Sequence, residues 1–298
     1  MYMNIGITGL PGSGKSTLAY YLASYLPNCY VPDTDSIYYN MAMTKMNDEL
    51  GWLYATAEGK KETYEYIINE CLKKGINANE ITDIEEKASV SLKMLNFLYT
   101  SNMLKSRTSQ YNFVIIDFYL LPYLSDYHTI DYSILLNVED SVRYENALKR
   151  MKNNEKREFS DDEKKRRIKK MIEFEKSNIL TYDIMDYTQV IYNPPSLDII
   201  DSEAMRIAKD ILKEYSSLSL CKMLKKEIFY TSEKIEELSH SYWRAFSKEM
   251  IKDEFKYIEN KINFLYSEEL IEKVIYKKIL KYCKINETKC IKLKKPSF

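Results

Sequence analysis

The residues with the clearest chemical meaning stand near the start of the chain, where a short apolar run over residues 4–8 leads into a glycine-rich stretch. The stretch matches the spacing GxxxxGK[ST] in full and comprises Gly9, Leu10, Pro11, Gly12, Ser13, Gly14, Lys15, Ser16 and Thr17. Glycines at this spacing let a loop wrap an anion, so that successive backbone N–H groups point at a phosphate. Lys15 is predicted to reach the β- and γ-phosphates of a nucleotide, and the Ser16 hydroxyl is predicted to ligate Mg²⁺.

Carboxylates follow the next two apolar runs. One run ends in Asp33-Thr34-Asp35-Ser36, and a longer one ends in Asp117. A carboxylate just beyond a strand suits either a general base beside the γ-phosphate or a Mg²⁺ ligand. We expect Asp35 to be catalytic, with Asp33 as the second choice, and Asp117 to bind Mg²⁺. The alternatives are that Asp33 or Ser36 only caps the following helix, and that Asp117 only ends its strand.

A basic segment is the third candidate source of chemistry. Residues 143–176 hold 13 basic and 8 acidic side chains, and residues 160–163 have the capping-box pattern that begins a helix. Phosphoryl transfer needs cations that close over the transferring group. We therefore expect a lid over residues 143–180, in which Arg150 and then Arg157 meet the nucleotide. The alternative is that these charges form a solvated face.

The elements that must position these residues follow from the order of the apolar runs. Five runs alternate with helical segments, at residues 4–8, 28–32, 111–117, 131–138 and 188–193. This alternation predicts an α/β fold with a five-stranded parallel sheet, helices on both faces, and ligands at the carboxyl ends of the strands. We expect the strand order 2-3-1-4-5 in a core that spans residues 1–213.

The segment between the second and third strands, residues 36–110, is predicted to be a helical acceptor-binding insert. Tyr38 and Tyr39 are candidates to bind the acceptor, because an aromatic ring can stack on a base or another flat group. The alternative is plain helix packing, since the chain contains 27 tyrosines.

Residues 214–298 exceed what the core needs and predict an all-helical extension, with helices near residues 232–238, 242–266 and 268–282. An imperfect helical stripe predicts a packed core or a subunit interface. Its members are Trp243, Phe246, Met250, Phe255, Ile258, Ile262 and Leu265. Residues 270–298 carry nine lysines against Glu272 and Glu287. Such a tail suits contact with RNA phosphates or a solubilising terminal face.

Composition excludes several other classes of function. The 44 basic and 44 acidic residues cancel, so no global field draws the chain to nucleic acid or membranes. Five cysteines without a CxxC pair and only two histidines argue against a zinc site or a disulfide framework. No apolar run is long enough to span a bilayer, and the first residues lack a signal-peptide pattern. The expected location is the cytoplasm.

Residues 3–213 resemble the P-loop kinases of the nucleoside-, nucleotide- and dephospho-CoA-kinase group. The resemblance rests on IGITGLPGSGKSTLA, DTDSIYY, FVIIDFYLL and DYSILLNVEDSVRYENALKR, and DTDSIYY is similar to an element of uridine kinases. It implies a P-loop NTPase fold, ATP and Mg²⁺ as cofactors, Asp35 as the base and Arg150 as a lid arginine. It also implies that the turn at Asn193 and Pro194 faces the adenine. The loop GLPGSGKST further resembles that of O-phosphoseryl-tRNA kinases and polynucleotide kinases, whose acceptors are RNA.

Three functions follow from these observations. The first is transfer of the γ-phosphate of ATP to a hydroxyl or phosphate of a small metabolite, such as a nucleoside, a nucleotide or a CoA precursor. The second is transfer to RNA through the lysine-rich tail. The third is a regulatory protein that binds ATP and hydrolyses it slowly or not at all. No NKxD motif follows a strand, which argues against a GTPase switch.

Overall fold

The sheet and most helices are defined in a computed structural model, which describes residues 3–32, 34, 73, 75, 110–119, 121–124, 130–182, 186–192, 196–241 and 247–293. Five parallel strands form one sheet: β1 (Met3–Thr8), β2 (Cys29–Tyr30), β3 (Phe113–Asp117), β4 (Tyr132–Asn137) and β5 (Gln189–Tyr192). Their order is β2-β3-β1-β4-β5. The predicted α/β fold and the strand order 2-3-1-4-5 are therefore confirmed.

Helices are numbered along the described residues. They are α1 (Lys15–Tyr25), α2 (Asp140–Glu155), α3 (Asp161–Tyr182), α4 (Leu197–Leu212), α5 (Ser217–Ser241), α6 (Lys248–Ser267) and α7 (Lys273–Leu293). A short 3-10 helix covers Leu121–Leu124. The predicted helix start after Ser160 is confirmed, because the Glu163 N–H donates to the Ser160 hydroxyl at 3.3 Å. Among the described helices, none combines the length and the apolar character that crossing a membrane requires.

The central strands explain why the site forms at one edge of the sheet. In β3 the four residues before Asp117 are all buried, as expected for a strand covered on both faces. The β1–β3 register places Ile7 opposite Asp117, and the β1–β4 register places Ile7 opposite Ile134. Since the glycine-rich loop leaves β1 directly after Thr8, Asp117 and the loop meet at the same edge.

The bounds predicted for the C-terminal helices were wrong. α5 begins at Ser217, fifteen residues before the predicted start, and α6 begins after the cap Ser247, whose hydroxyl accepts from the Met250 N–H. Met250, a member of the predicted apolar stripe, is 46% exposed and so lies outside the buried face. The buried face of α6 begins instead at Ile251 and continues through Phe255, Ile258, Ile262 and Leu265. Trp243 and Phe246 lie outside the described residues.

The C-terminal helices pack onto the α/β core through one continuous apolar cluster, which contains residues of β1, α1 and β3 together with residues of α5, α6 and α7. Aromatic contacts mark this junction. The rings of Tyr25 and Phe264 are 4.7 Å apart, and those of Phe113 and Tyr215 are 5.7 Å apart. Burial of this shared apolar surface stabilises the extension against the core. The stripe on α6 therefore forms a packed core.

A buried ion pair lies within the same junction. Lys261, on α6, is 1% exposed, and its Nζ donates to Glu227 Oε1 at 2.6 Å and to the carbonyl oxygen of Leu26 at 3.0 Å. Glu227 Oε2 accepts from the backbone N–H of Asn28 at 2.7 Å. These bonds join α5 and α6 to the chain between α1 and β2, just before the outer strand β2 begins.

Candidate functional site

The glycine-rich loop packs directly against the backbone of β4 and α2, which is possible because its glycines have no side chains. The backbone has φ values of 149°, 81° and 94° at Gly9, Gly12 and Gly14. A Cβ on Gly12 would lie 2.2 Å from the carbonyl oxygen of Arg143. A Cβ on Gly9 would lie 2.6 Å from the carbonyl oxygen of Leu136. Only glycine satisfies both the positive φ and this close approach.

The polar groups of the loop fit the phosphates of a nucleotide. Gly14 is the N-cap of α1, so the first-turn amides and the positive end of the helix face the loop. The Ser13 hydroxyl is buried and has no hydrogen-bond partner among the described residues. Lys15 lies along the loop, with its Nζ donating to the carbonyl oxygen of Leu10 at 3.3 Å. A buried donor without a partner, a helix N-terminus and a cation together form an anion site.

Ser16 and Asp117 line the same cavity, which has a volume of about 420 Å³. Thr34 also lines it, and its hydroxyl lies 2.5 Å from the carbonyl oxygen of Asp117 and 3.1 Å from Asp117 Oδ1. A hydroxyl oxygen and a carboxylate are hard oxygen ligands of the kind that Mg²⁺ prefers. The residues therefore fit a magnesium ion beside the phosphate loop.

Several predicted site residues lie outside the described part of the chain. They are Asp33, Asp35, Tyr38, Tyr39, Asn193 and Pro194. Thr34, the residue between the two aspartates, is described and contacts Asp117. The predicted roles of these six residues stay predictions.

The far wall of the cavity comes from the C-terminal extension. Tyr257, on α6, lines it together with Tyr20 of α1 and Cys29 of β2. The Lys261 ammonium lies 4.5 Å from the centroid of the Tyr257 ring, which ties the tyrosine to the buried ion pair. Burial raises the pKa of the Tyr257 hydroxyl and raises the pKa of the Cys29 thiol to about 12. Both groups are therefore protonated at neutral pH, and Cys29 is not a nucleophile.

Arg150 lies on the exposed surface of α2, with no ion-pair partner among the described residues. It follows Arg143 by two helical turns and so faces the same side of the helix. Arg143 itself is 1% exposed and bonds to the loop, whereas Arg150 lies about 10 Å further along the helix axis. The predicted lid role of Arg150 stays a prediction, and the inward position on α2 is occupied by Arg143.

Arg157 is held in an ion-pair cluster at the turn between α2 and α3. Its Nη1 and Nη2 donate to Glu163 at 2.9 and 2.6 Å, and Arg167 also donates to Glu163, at 3.0 Å. Both guanidinium groups lie over the Phe159 ring, at 4.9 and 4.1 Å from its centroid. Hydrogen bonds from Arg157 and Arg167 lower the pKa of Glu163 to about 2. Arg157 would have to leave this cluster to meet a nucleotide.

Sequence reasoning missed Arg143 and Tyr257 as residues of the site. A weak signal existed for Arg143, because it shares the buried face of α2 with Tyr144 and Ala147. No local signal marked Tyr257, since its distance from the glycine-rich loop along the chain hides their proximity. The cavity becomes visible only when α6 is packed against α1.

Comparison with known proteins gave one family match. The profile of the family AAA_18, described as AAA domain, matches residues 5–169, which include the glycine-rich loop, Asp117, α2 and the start of α3. No curated protein matches the chain. A crystal structure of TT1252 from Thermus thermophilus has 18% sequence identity and a TM-score of 0.41, and the match covers 72% of this chain and 98% of that chain.

Proposed function

The chain belongs to the AAA domain family AAA_18, which has a P-loop nucleotide-binding fold, and from this we propose that it is an ATP- and Mg²⁺-dependent phosphotransferase. Its acceptor is a hydroxyl or phosphate of a small metabolite of the nucleoside, nucleotide or CoA-precursor class. The single observation that carries the proposal is the shared cavity. Ser16 and Asp117 line a space of about 420 Å³, which also reaches residues of α1 and α6 and is large enough for an acceptor.

The donor side of the reaction is assigned to the loop. The loop amides and Lys15 bind the β- and γ-phosphates, and Ser16 and Asp117 hold the magnesium ion. When bound, the ion neutralises charge on the transferring phosphoryl group. Arg150 adds a positive charge when a closed lid brings it to the γ-phosphate.

The acceptor side is assigned to the residues around Thr34. Asp35, with Asp33 as the second choice, accepts the proton of the acceptor hydroxyl. The acceptor oxygen forms a bond to the γ-phosphorus, the bond between that phosphorus and the bridging oxygen breaks, and ADP leaves with its electron pair. Thr34, the residue between the two aspartates, contacts the magnesium-ligand candidate Asp117, and this contact supports the assignment.

The cavity lining supports an acceptor with a flat or apolar body. Beyond Ser16, Thr34 and Asp117, the described lining is mainly apolar and aromatic. It comprises Ala19, Tyr20, Ala23, Cys29, Val31, Pro32 and Tyr257. Clefts of this kind bind small molecules through apolar walls and a few polar groups that fix orientation. The polar groups stand at the end beside the phosphate loop, which orients the reacting oxygen toward it.

An acceptor screen tests the proposal. The protein is incubated with Mg²⁺, γ-labelled ATP and one of two pools: nucleosides, nucleotides and dephospho-CoA, or total tRNA and 5′-hydroxyl oligonucleotides. We expect label in the first pool, and we expect Tyr257→Ala to raise the KM for the labelled acceptor while the KM for ATP stays unchanged. Transfer with an unchanged acceptor KM in that variant would show that the cavity does not bind the acceptor.

A second candidate function, an RNA-directed kinase, is favoured by the outer face of α7. A surface cavity of about 630 Å³ is lined by five lysines of that helix, Lys277, Lys281, Lys284, Lys289 and Lys292. A row of cations on one helix face can follow a phosphate backbone. Deleting the tail would not test this idea, because Ile279 and Cys283 of the same helix are buried in the core.

Charge reversal on α7 is the suitable test. Replacing Lys277, Lys281 and Lys292 by Glu keeps the buried face intact. If RNA is the acceptor, this variant loses RNA binding at low salt and loses less at high salt, because counterion release sets the affinity. If the acceptor is a small metabolite, turnover of the first pool is unchanged by the three substitutions.

A further inference from the structure

The buried guanidinium of Arg143 has every one of its N–H donors engaged. Its Nε donates to the carbonyl oxygen of Val138 at 3.1 Å. Nη1 donates to the carbonyl oxygen of Pro11 at 3.1 Å and to Glu175 Oε1 at 3.0 Å. Nη2 donates to Glu175 Oε2 at 3.0 Å and to Asp140 Oδ1 at 2.5 Å. Arginine has five such donors, so none is left for a ligand.

On one side, these contacts hold the outer surface of the phosphate loop. Nη1 of Arg143 bonds the carbonyl of Pro11, and Asn146 Nδ2 donates to the next carbonyl, that of Gly12, at 3.2 Å. The backbone of Arg143 also fills the space where a side chain on Gly12 would lie. When the carbonyls of a loop point outward, its N–H groups are free to point inward at an anion. The first turns of α2 thus fix the orientation on which phosphate binding depends.

On the other side, the same guanidinium holds α3. Glu175 is 2% exposed and forms a two-point ion pair with Arg143, and the Tyr144 hydroxyl donates to Glu175 Oε2 at 3.3 Å. Such paired, planar contacts are the strongest that arginine makes with a carboxylate. A displacement of α3 would separate this pair and leave both charges in a poorly solvated place. The position of α3 and the geometry of the loop therefore both depend on the Arg143 side chain.

We propose that Arg143 is a positioning residue that couples the phosphate loop to α3, so that the affinity for a nucleoside diphosphate or triphosphate depends on α3 being docked through Glu175. The proposal rests on the proposed function only in requiring that the loop bind nucleotide phosphates. Coupling is reciprocal, so bound nucleotide must in turn stabilise the docked position of α3.

The first test measures the Kd of ADP with Mg²⁺ by calorimetry, well below the unfolding temperature of each variant. Arg143→Lys keeps the charge but loses donors, and we expect the Kd to rise about tenfold, the size associated with one hydrogen bond to a charged group. Because a single substitution that leaves Glu175 unpaired can unfold the protein, Arg143→Met combined with Glu175→Leu is made as well. This apolar pair keeps the volume and removes both charges, and its ADP affinity is expected to fall about as much as that of Arg143→Lys.

The second test reads the coupling directly. Hydrogen exchange of the α3 amides around Glu175 is measured with and without ADP. Exchange is expected to slow on ADP binding in the wild-type protein and to be unaffected by ADP in the double variant. Arg206→Lys is the matched control, because Arg206 also pairs with two carboxylates, Glu203 and Asp210, but is 43% exposed on α4.

The outcomes separate the two proposals. An unchanged ADP Kd in both Arg143 variants, with the wild-type protein binding ADP, would overturn the positioning role and leave the proposed function standing. A weaker Kd with unaltered protection of α3 by ADP would overturn the coupling. If the wild-type protein binds no ADP, both the coupling and the proposed function fail.

Discussion

Lys261→Met is the substitution that tests most sharply how the C-terminal helices are attached. The Lys261 ammonium is 1% exposed and is bonded to Glu227 and to the carbonyl of Leu26. The methionine side chain has a similar length but no charge, so the main loss is electrostatic. Glu227, which is 13% exposed, becomes a buried carboxylate whose described partner is only the Asn28 N–H.

Removing one member of a buried pair costs about 3–5 kcal/mol. The carbonyl of Leu26 also loses its donor, which adds about 1–3 kcal/mol where water cannot replace it. We therefore expect the free energy of unfolding to fall by at least about 3 kcal/mol, with one cooperative transition because the core is continuous. Glu227→Gln should have a similar cost, since it leaves Lys261 as the unpaired charge.

The assay is urea unfolding followed by far-UV circular dichroism. The matched control is Lys213→Met, because Lys213 is 54% exposed in its ion pair with Asp210 and exposed pairs contribute about 0–1 kcal/mol. A loss of less than about 1 kcal/mol for Lys261→Met would refute the reasoning that this pair is desolvated and structural. Two separate transitions in the wild-type protein would refute the shared core.

Three other predictions concern the loop, the lid turn and the metal. Gly12→Ala should abolish ADP binding and lower the free energy of unfolding more than Gly14→Ala does. Both glycines have positive φ, but a Cβ on Gly12 would lie 2.2 Å from a backbone carbonyl oxygen, whereas a Cβ on Gly14 would lie 3.5 Å from its nearest neighbouring side chain. Equal losses of unfolding free energy would contradict this. The pKa of Glu163 is lowered from 4.5 to about 2 in the folded state, so the stabilisation by its ionised carboxylate is complete above pH 4.5 and is lost as the pH falls toward 2. Glu163→Gln should therefore make the unfolding temperature fall less steeply between pH 4.5 and pH 2. An unchanged slope would argue against the ion-pair cluster of Glu163 with Arg157 and Arg167. Asp117→Asn should weaken Mg²⁺ binding in the presence of ADP while ADP alone binds unchanged, and calorimetry with and without Mg²⁺ distinguishes the two effects.

The parts of the fold that the sequence predicts well depend on local patterns. The glycine-rich loop is determined by its own spacing, and the continuous apolar run of β3 identifies a strand buried on both faces. The strand order then follows from the resemblance and from helical connections between parallel strands. These patterns placed Asp117 at the sheet edge where the structure has it, opposite Ile7.

The parts that sequence reasoning predicted poorly depend on contacts between distant residues. α5 begins at Ser217, and its first turns are held in place because Leu220 and Leu224 are buried against the core. The neighbouring serines give no sequence signal that these leucines face a core. Arg143 looks like one basic residue among many until Glu175, 32 positions later, is brought against it. Periodicity also placed Met250 in the buried stripe, whereas the face that packs is set by the neighbouring Ile251.

The measurement that tests the central claim most directly is the fate of the γ-phosphate. ADP, inorganic phosphate and labelled acceptor are quantified in the same reaction for the wild-type protein and for Lys15→Ala, with Lys149→Ala as a control because Lys149 is 67% exposed on α2. We predict that ADP and labelled acceptor appear in equal amounts, that both require the acceptor, and that both disappear only in Lys15→Ala. Formation of inorganic phosphate without labelled acceptor, or equal turnover by Lys15→Ala, would contradict the proposal that this chain is a phosphotransferase.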